Sequence, residues 1–148
     1  MGSSQQFPRL FTVNEANDLL PELRPLVQRV FHHLEGLRAK SETVIRGERL
    51  SPDSPELMKR LQEDTAIARM ILEVKGLVEE INSYGCVCKG IEEGLVDFPC
   101  LLGGEIVFLC WRHDEESVAH WHRIEDGFAG RKALLEADDD SGGNVSYH

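Results

Sequence analysis

Residues 94–131 read GLVDFPCLLGGEIVFLCWRHDEESVAHWHRIEDGFAGR, and their alternation decides the fold. Leu95 to Leu102 and Glu105 to Arg112 each read as a strand, and Gly103-Gly104 supplies the two-residue loop that primed hairpin turns favour. That loop sets a register in which Leu102 faces Glu105, Leu101 faces Ile106 and Asp97 faces Cys110. Side chains alternate along a strand, so one face carries Leu95, Asp97, Pro99 and Leu101 beside Ile106, Phe108, Cys110 and Arg112. The other carries Val96, Phe98, Cys100 and Leu102 beside Val107, Leu109 and Trp111. Pro99 is the one residue expected to disturb this register, through a bulge. Val118 to Ile124 reads as a further strand or a short helix, and Cys86 to Lys89 as a short first strand.

Upstream the period changes from two to three-and-four. Thr12-Val13-Asn14-Glu15 is a capping box, so a helix starts near Val13. Pro21 and Pro25 are expected to interrupt it, because each lacks an amide donor and crowds the preceding turn. The reading is a short helix to Leu20, a kink, and a long helix to about Arg46. Leu20, Leu23, Val27, Val30, Leu34, Leu37, Ser41 and Val44 form an a/d seam of the coiled-coil kind. Asp53-Ser54-Pro55-Glu56 starts a second helix, expected to run to about Ser83 and stop at Gly85. Its seam is Ile67, Met70, Val74, Leu77 and Ile81. A helix of about 25 residues is about 38 Å long, more than a small sheet covers, so the surplus apolar face is expected to pair with a second copy.

Composition narrows the function classes. A chain of 148 residues is read as one domain with a sizeable core. The net charge of −10 argues against nucleic-acid binding, which needs a basic face for the phosphates. Part of that acidity lies in Glu136, Asp138, Asp139 and Asp140. No stretch reaches the roughly 20 apolar residues of a membrane span, and MGSSQQFPRL is not a secretory leader. A cytoplasmic location is expected, with Cys86, Cys88, Cys100 and Cys110 as free thiols. The domain plan is a lead-in over 1–11, a single α+β domain over 12–134 (helical hairpin 12–84, small sheet 85–134) and an acidic, disordered tail over 135–148.

Residues 94–131 also concentrate the chemistry. They hold both tryptophans, two of the four cysteines and three of the six histidines. The hairpin register makes Asp97 and Arg112 diagonal neighbours on one face, with Cys110 between them. Neither is expected to be buried unpaired. Two readings follow: an ion pair that pins the sheet, or a pocket floor in which Arg112 binds a carboxylate or phosphate and Asp97 orients it. Cys110 beside a cation is either a nucleophile or an inert buried thiol, and no general base sits at a fixed spacing from it. In a strand, His120 and His122 point the same way and can share a metal, with Cys110, His113 or Asp126 as a third ligand. Otherwise His122 bonds a nearby carboxylate such as Glu125 or Asp126. Gly127-Phe128-Ala129-Gly130-Arg131 is a tight turn whose amides, with Arg131, can also form an anion nest.

The combined motifs resemble an uncharacterised bacterial family, domain of unknown function 2203. The resemblance covers about Phe11 to Leu134. It rests on FTVNEA at 11–16 with LPEL at 20–23, on GLVDFP at 94–99, on LCWR at 109–112, and on Trp121-His122 with GFAGR at 127–131. It implies helices followed by a small sheet and implies no established activity. The family pattern has an aromatic residue at the position of His120 and acidic and glycine residues after the position of Arg112. It therefore favours His122 over His120 and His113 as a site residue.

The expected architecture is α+β, a long antiparallel helical hairpin on a small, mainly antiparallel sheet. The expected function is a binding or scaffold protein that self-associates through its helices, without nucleic-acid or membrane partners. Asp97, Cys110, Trp111, Arg112, His122 and Arg131 form its polar pocket for a small anion or a partner's acidic group. The alternative is a metal-dependent protein or enzyme using a His/Asp/Cys site on the C-terminal sheet, with His120 and His122 as candidate ligands. No cofactor is named by the sequence.

Overall fold

A computed structural model describes residues 7–134. Three helices, α1 (Val13–Glu48), α2 (Pro55–Glu63) and α3 (Thr65–Asn82), precede five strands: β1 (Val87–Gly90), β2 (Leu95–Leu102), β3 (Glu105–Arg112), β4 (His120–Arg123) and β5 (Lys132–Ala133). The strands form one antiparallel meander in the order β1-β2-β3-β4-β5. A 3-10 turn at Phe128–Gly130 links β4 to β5. The architecture is α+β, as the sequence implies. The acidic tail expected over 135–148 lies outside the described residues.

The N-terminal capping box forms: the Thr12 hydroxyl accepts the Glu15 amide at 3.0 Å, and the Glu15 carboxylate accepts the Thr12 amide at 3.0 Å. The expected break at the prolines does not occur, and α1 runs unbroken for 36 residues, about 54 Å. Pro21 and Pro25 lie four apart and both are exposed. The carbonyl freed by Pro25 is that of Pro21, on the solvent side where water can take it, and a helix tolerates proline best where it bends convex toward solvent.

The second expected helix is instead two. Asp64 ends α2 in an extended conformation and caps α3, its carboxylate accepting the amides of Ala66 at 2.9 Å and Ile67 at 3.2 Å. An aspartate offers the backbone an alternative to helical hydrogen bonds, and here it wins within an otherwise periodic stretch. α1 packs along α3 and α2, and the half of α1 nearer its start lies over the sheet.

The core lies between these helices and one sheet face. Leu20, Leu23, Val27 and Val30 of α1 and Val74, Leu77 and Ile81 of α3 meet Val96, Phe98, Val107, Leu109 and Trp111. The lead-in joins this core: Phe11 is fully buried, stands edge-on to Phe98 at 5.1 Å, and its amide donates to the Pro99 carbonyl at 2.7 Å. That bond explains why Pro99 introduces no bulge. In an antiparallel strand a residue's N–H and C=O point the same way, so the missing Pro99 amide faces an edge that β1 is too short to reach. The β2–β3 register runs unbroken from Leu95 opposite Arg112 to Leu102 opposite Glu105. The irregularity falls in β1, where Cys88 pairs with Val96 and Gly90 with Leu95, leaving Lys89 as the extra residue of a bulge. Gly103 and Gly104 close the β2–β3 turn with φ of 60° and 82°, the left-handed pair that the primed turn requires. Gly94 is constrained by space as well as by φ, since a Cβ there would lie 2.8 Å from Phe31 and from His113.

Among the described residues no helix is long and apolar enough to cross a membrane.

Candidate functional site

The sheet face turned away from the helices carries Leu95, Asp97, Pro99, Phe108, Cys110 and His122, all buried. Three polar side chains converge there from adjacent strands. Asp97 in β2 is opposite Cys110 in β3, and His122 in β4 is opposite Phe108 one row away. Their exposures are 3%, 1% and 2%. A carboxylate oxygen, the thiol sulfur and an imidazole nitrogen all lie within 4.8 Å of one another. The closest approach recorded is His122 Nε2 to Asp97 Oδ1 at 3.4 Å.

The proton placement follows from the partners. His122 Nδ1 lies 2.8 Å from the Arg123 carbonyl, which only accepts, so Nδ1 carries the proton and donates. Nε2 is thereby turned, as the other ring nitrogen, toward Asp97 and Cys110. Burial raises the Asp97 carboxyl above its ordinary value, opposed by His122, by a hydrogen bond from Cys110 and by Lys89. Burial, reinforced by the Asp97 charge, pushes the Cys110 thiol up to about 12. Cys110 is therefore a protonated thiol near neutral pH, and the activated-nucleophile reading loses its basis. Burial likewise pushes Cys86 up to about 12 and Cys100 up to about 11.

A second polar cluster borders the first. Glu115, in the turn after β3, receives Arg131 Nη2 at 2.7 and 2.9 Å and the Arg112 amide at 2.8 Å. Burial works to raise the Glu115 carboxyl, but Arg131, the Arg112 amide and His120 together outweigh it and hold it below the usual range. The same Arg131 nitrogen donates to the Cys110 carbonyl at 3.2 Å, linking the clusters. His120 Nδ1 is 3.6 Å from Glu115 Oε2, an electrostatic contact too long for a hydrogen bond. The Glu115 carbonyl takes Trp111 Nε1 at 2.9 Å and Arg24 of α1 at 3.3 Å, so this turn is fastened to the helices.

The family model of an uncharacterized conserved protein, domain of unknown function 2203, matches residues 9–134, which include every residue of both clusters. The chain belongs to this family. No curated protein and no solved structure matches it significantly.

In this member of the domain of unknown function 2203, three of the residues singled out from sequence come together: Asp97, Cys110 and His122. Arg112 does not join them. Its Nε bonds Asp114 at 2.7 Å and its side chain is 39% exposed, so neither the Asp97–Arg112 pin nor the Arg112 pocket floor is present. The cause is register: Arg112 ends β3 opposite Leu95, and a carboxylate two residues along the turn is nearer than one diagonally across the sheet. Trp111 points into the helix-facing core. Arg131 is tied to Glu115, beside the trio rather than in it. His120 and His122 share a face, but His120 leans to Glu115 and contributes nothing to the trio. The other proposed third ligands lie elsewhere: His113 packs edge-on against Phe31 at 4.4 Å, and Asp126 lies against Gly130 in the turn before β5.

Two polar neighbours of the trio escaped the sequence reading. Glu115 organises the second cluster from a turn, where no periodicity marks it. Lys89 reaches over the outer face from the β1 bulge, and an irregularity of one residue leaves no trace in hydrophobic alternation.

Proposed function

We propose that this chain is a metal-binding protein, with Asp97 Oδ1, Cys110 Sγ and His122 Nε2 as ligands to a first-row divalent transition ion, zinc above all. The observation that carries this reading is the convergence of three different donor types, each buried, from three neighbouring strands. Donor atoms around a tetrahedral zinc lie about 3.3–3.8 Å apart, given metal–ligand distances of 2.0–2.3 Å. A trio already within 4.8 Å, with one separation of 3.4 Å, needs side-chain adjustments of only a few tenths of an ångström to an ångström. The hydrogen bond from His122 Nδ1 to a backbone carbonyl supports the reading further, because metal-bound histidines use the other ring nitrogen in this way. A mixed oxygen, nitrogen and sulfur set suits zinc and its transition-metal neighbours and does not suit calcium or magnesium, which take oxygen ligands. On binding, Cys110 releases its proton to solvent, and Cys110 and Asp97 bind as anions.

The competing reading, a pocket for a small anion built on Arg112 and Arg131, has less support because both guanidinium groups are engaged by carboxylates. Self-association through the helices accompanies the metal reading and is supported by exposed Met58, Ile71 and Leu72 on α2 and α3. The free thiols suit a reducing compartment such as the cytoplasm.

The test is elemental mass spectrometry on untagged protein purified without chelator or affinity nickel. About one zinc per chain is expected, lost in Cys110→Ala and His122→Ala with far-ultraviolet circular dichroism unchanged. No bound ion, also after incubation with zinc, cobalt or manganese, overturns the reading.

A further inference from the structure

The helices outrun the sheet. Phe31 of α1 stands edge-on to His113 at 4.4 Å and closes on Gly94, and these two residues mark where the β2–β3 pair ends. The six buried residues of α1 all lie between Ala16 and Val30. Past Phe31 the same stripe continues as Leu34, Leu37, Val44 and Ile45, each only half-buried. Steps of three and four residues keep these side chains on the line of Val27 and Val30, so they face the side that the sheet covers nearer the start of the helix. α3 repeats the pattern. Val74, Val78 and Ile81 pack on the core, whereas Ile71, one turn earlier on that stripe, is 45% exposed. The overhang is one layer of helices with no second layer against its apolar side.

Charge and size say what fits there. Residues 32–73 hold 7 basic and 8 acidic side chains of the chain's 16 and 26, a net −1, while the remaining 9 and 18 give −9. Within the overhang opposite charges already meet, Arg38 with Glu35 at 3.4 Å, Lys40 with Asp64 at 3.7 Å and Arg60 with Glu48 at 2.9 Å. A basic partner is drawn to the acidic remainder of the molecule, and an acidic one finds no excess of cations here. Two copies of so acidic a chain repel one another everywhere except along this near-neutral segment. The 32–48 portion of α1 is about 26 Å long, and two adjacent helices are about 20 Å wide. The projected face of about 500 Å², larger once side-chain relief is counted, is of the order of the roughly 800 Å² that each partner buries in a standard interface.

We propose that the sheet-facing side of this overhang is the interface with a second copy, the stripe from Leu34 to Ile45 of α1 and Ile71 of α3 packing on the same residues of the partner in a four-helix layer. The inference rests on the self-association reading, to which it gives one face, and is independent of the ion. A two-fold axis places identical patches against each other, so a face carrying both signs of charge around an apolar stripe is complementary to itself. The choice of face is specific. Leu72 is more exposed than Ile71, at 67%, but lies about 100° further round α3 and stays in solvent.

Sedimentation equilibrium of the full chain over about 1–100 μM is the test, the range in which an interface of this size associates. The expected mass is twice the 16.7 kDa of one chain. Ile71→Glu sets a carboxylate against the partner's apolar stripe and is expected to weaken dimerisation by about a hundredfold or more. Ile45→Glu does the same from α1, and Leu72→Glu leaves the dimer as it is. All three positions are half-buried or exposed, so far-ultraviolet circular dichroism and the urea m-value are expected to match the wild type and separate lost association from lost folding. A wild-type dimer that survives both Ile71→Glu and Ile45→Glu, or that Leu72→Glu breaks as readily, overturns the inference and leaves self-association standing on another face. A monomeric wild type across the whole range overturns self-association and the inference together.

Discussion

Replacing Asp97 by asparagine separates what the buried carboxyl does for folding from what it does for an ion. Asp97 is 3% exposed and its carboxyl is raised by burial. A group whose folded value lies above its unfolded one contributes stability that is complete below the ordinary carboxylate value of about 3.9 and is lost as pH rises through the folded value. At pH 7 the metal-free protein therefore carries a deficit, which an isosteric amide removes. Relief of one buried ionisable group is worth about 1–2 kcal/mol, or about 3–6 °C in Tm for a chain of this length. Zinc at a hundred times its Kd stabilises the wild type by about 2.7 kcal/mol and does nothing for a variant without the carboxylate. The stability order thus reverses: Asp97→Asn melts above wild type in chelator and below it in zinc. Differential scanning calorimetry at pH 7, with the same pair repeated at pH 3.5 where the chelated proteins should converge, reads this directly. If Asp97→Asn melts below wild type in chelator, or zinc raises both proteins equally, the reasoning is wrong.

The two arginines near the site should behave oppositely. Arg131 is 12% exposed and holds the partly buried Glu115, so Arg131→Ala is expected to cost about 2 kcal/mol in urea denaturation with an unchanged m-value. Arg112→Ala, which removes only the exposed pair with Asp114, should leave the midpoint where it is. Glu115 titrates in the opposite sense to Asp97. Its folded value is lowered, so its contribution is present above about pH 4.3 and is lost as pH falls through the folded value. Glu115→Gln should lower stability at pH 7 and flatten its decline on acidification, measured as urea midpoints between pH 7 and 3.

The sheet was legible because its signals are local and mutually consistent. Alternation over 95–112 and two glycines at 103 and 104 fix which residues oppose one another, and Asp97 opposite Cys110 follows from counting. The i,i+2 spacing of His120 and His122 places His122 on the same face once 120–123 is a strand. Partner choice was not legible. Asp97 and Arg112 share a face by the same count, but a turn of unknown shape decided that Arg112 meets Asp114 and left Asp97 to His122. The helices show the converse: Pro21 and Pro25 argue for a break, and only their exposure on one side of α1 explains why none occurs. Asp64 reads as one polar residue in a periodic run until its carboxylate is seen holding two amides. The β1 bulge that turns Lys89 across the site is beyond any periodicity argument.

The meander also dictates how soon the site can exist. Asp97 and His122 are 25 positions apart in the chain. The clasp between helix and sheet, in which Asn17 Oδ1 takes the Val118 amide at 2.7 Å, joins residues 101 positions apart. Loop-closure entropy makes the longer connection costlier by about 1.2 kcal/mol, and low sequence separation favours early formation. The three donors thus meet by zipping two adjacent strand connections, whereas the apolar face behind them must wait for a helix made at the other end of the chain. During synthesis Asp97, Cys110 and His122 emerge after α1 and α3 and require the least searching, so under the proposed metal reading an ion can be captured by a nascent sheet and brace it while α1 and α3 dock.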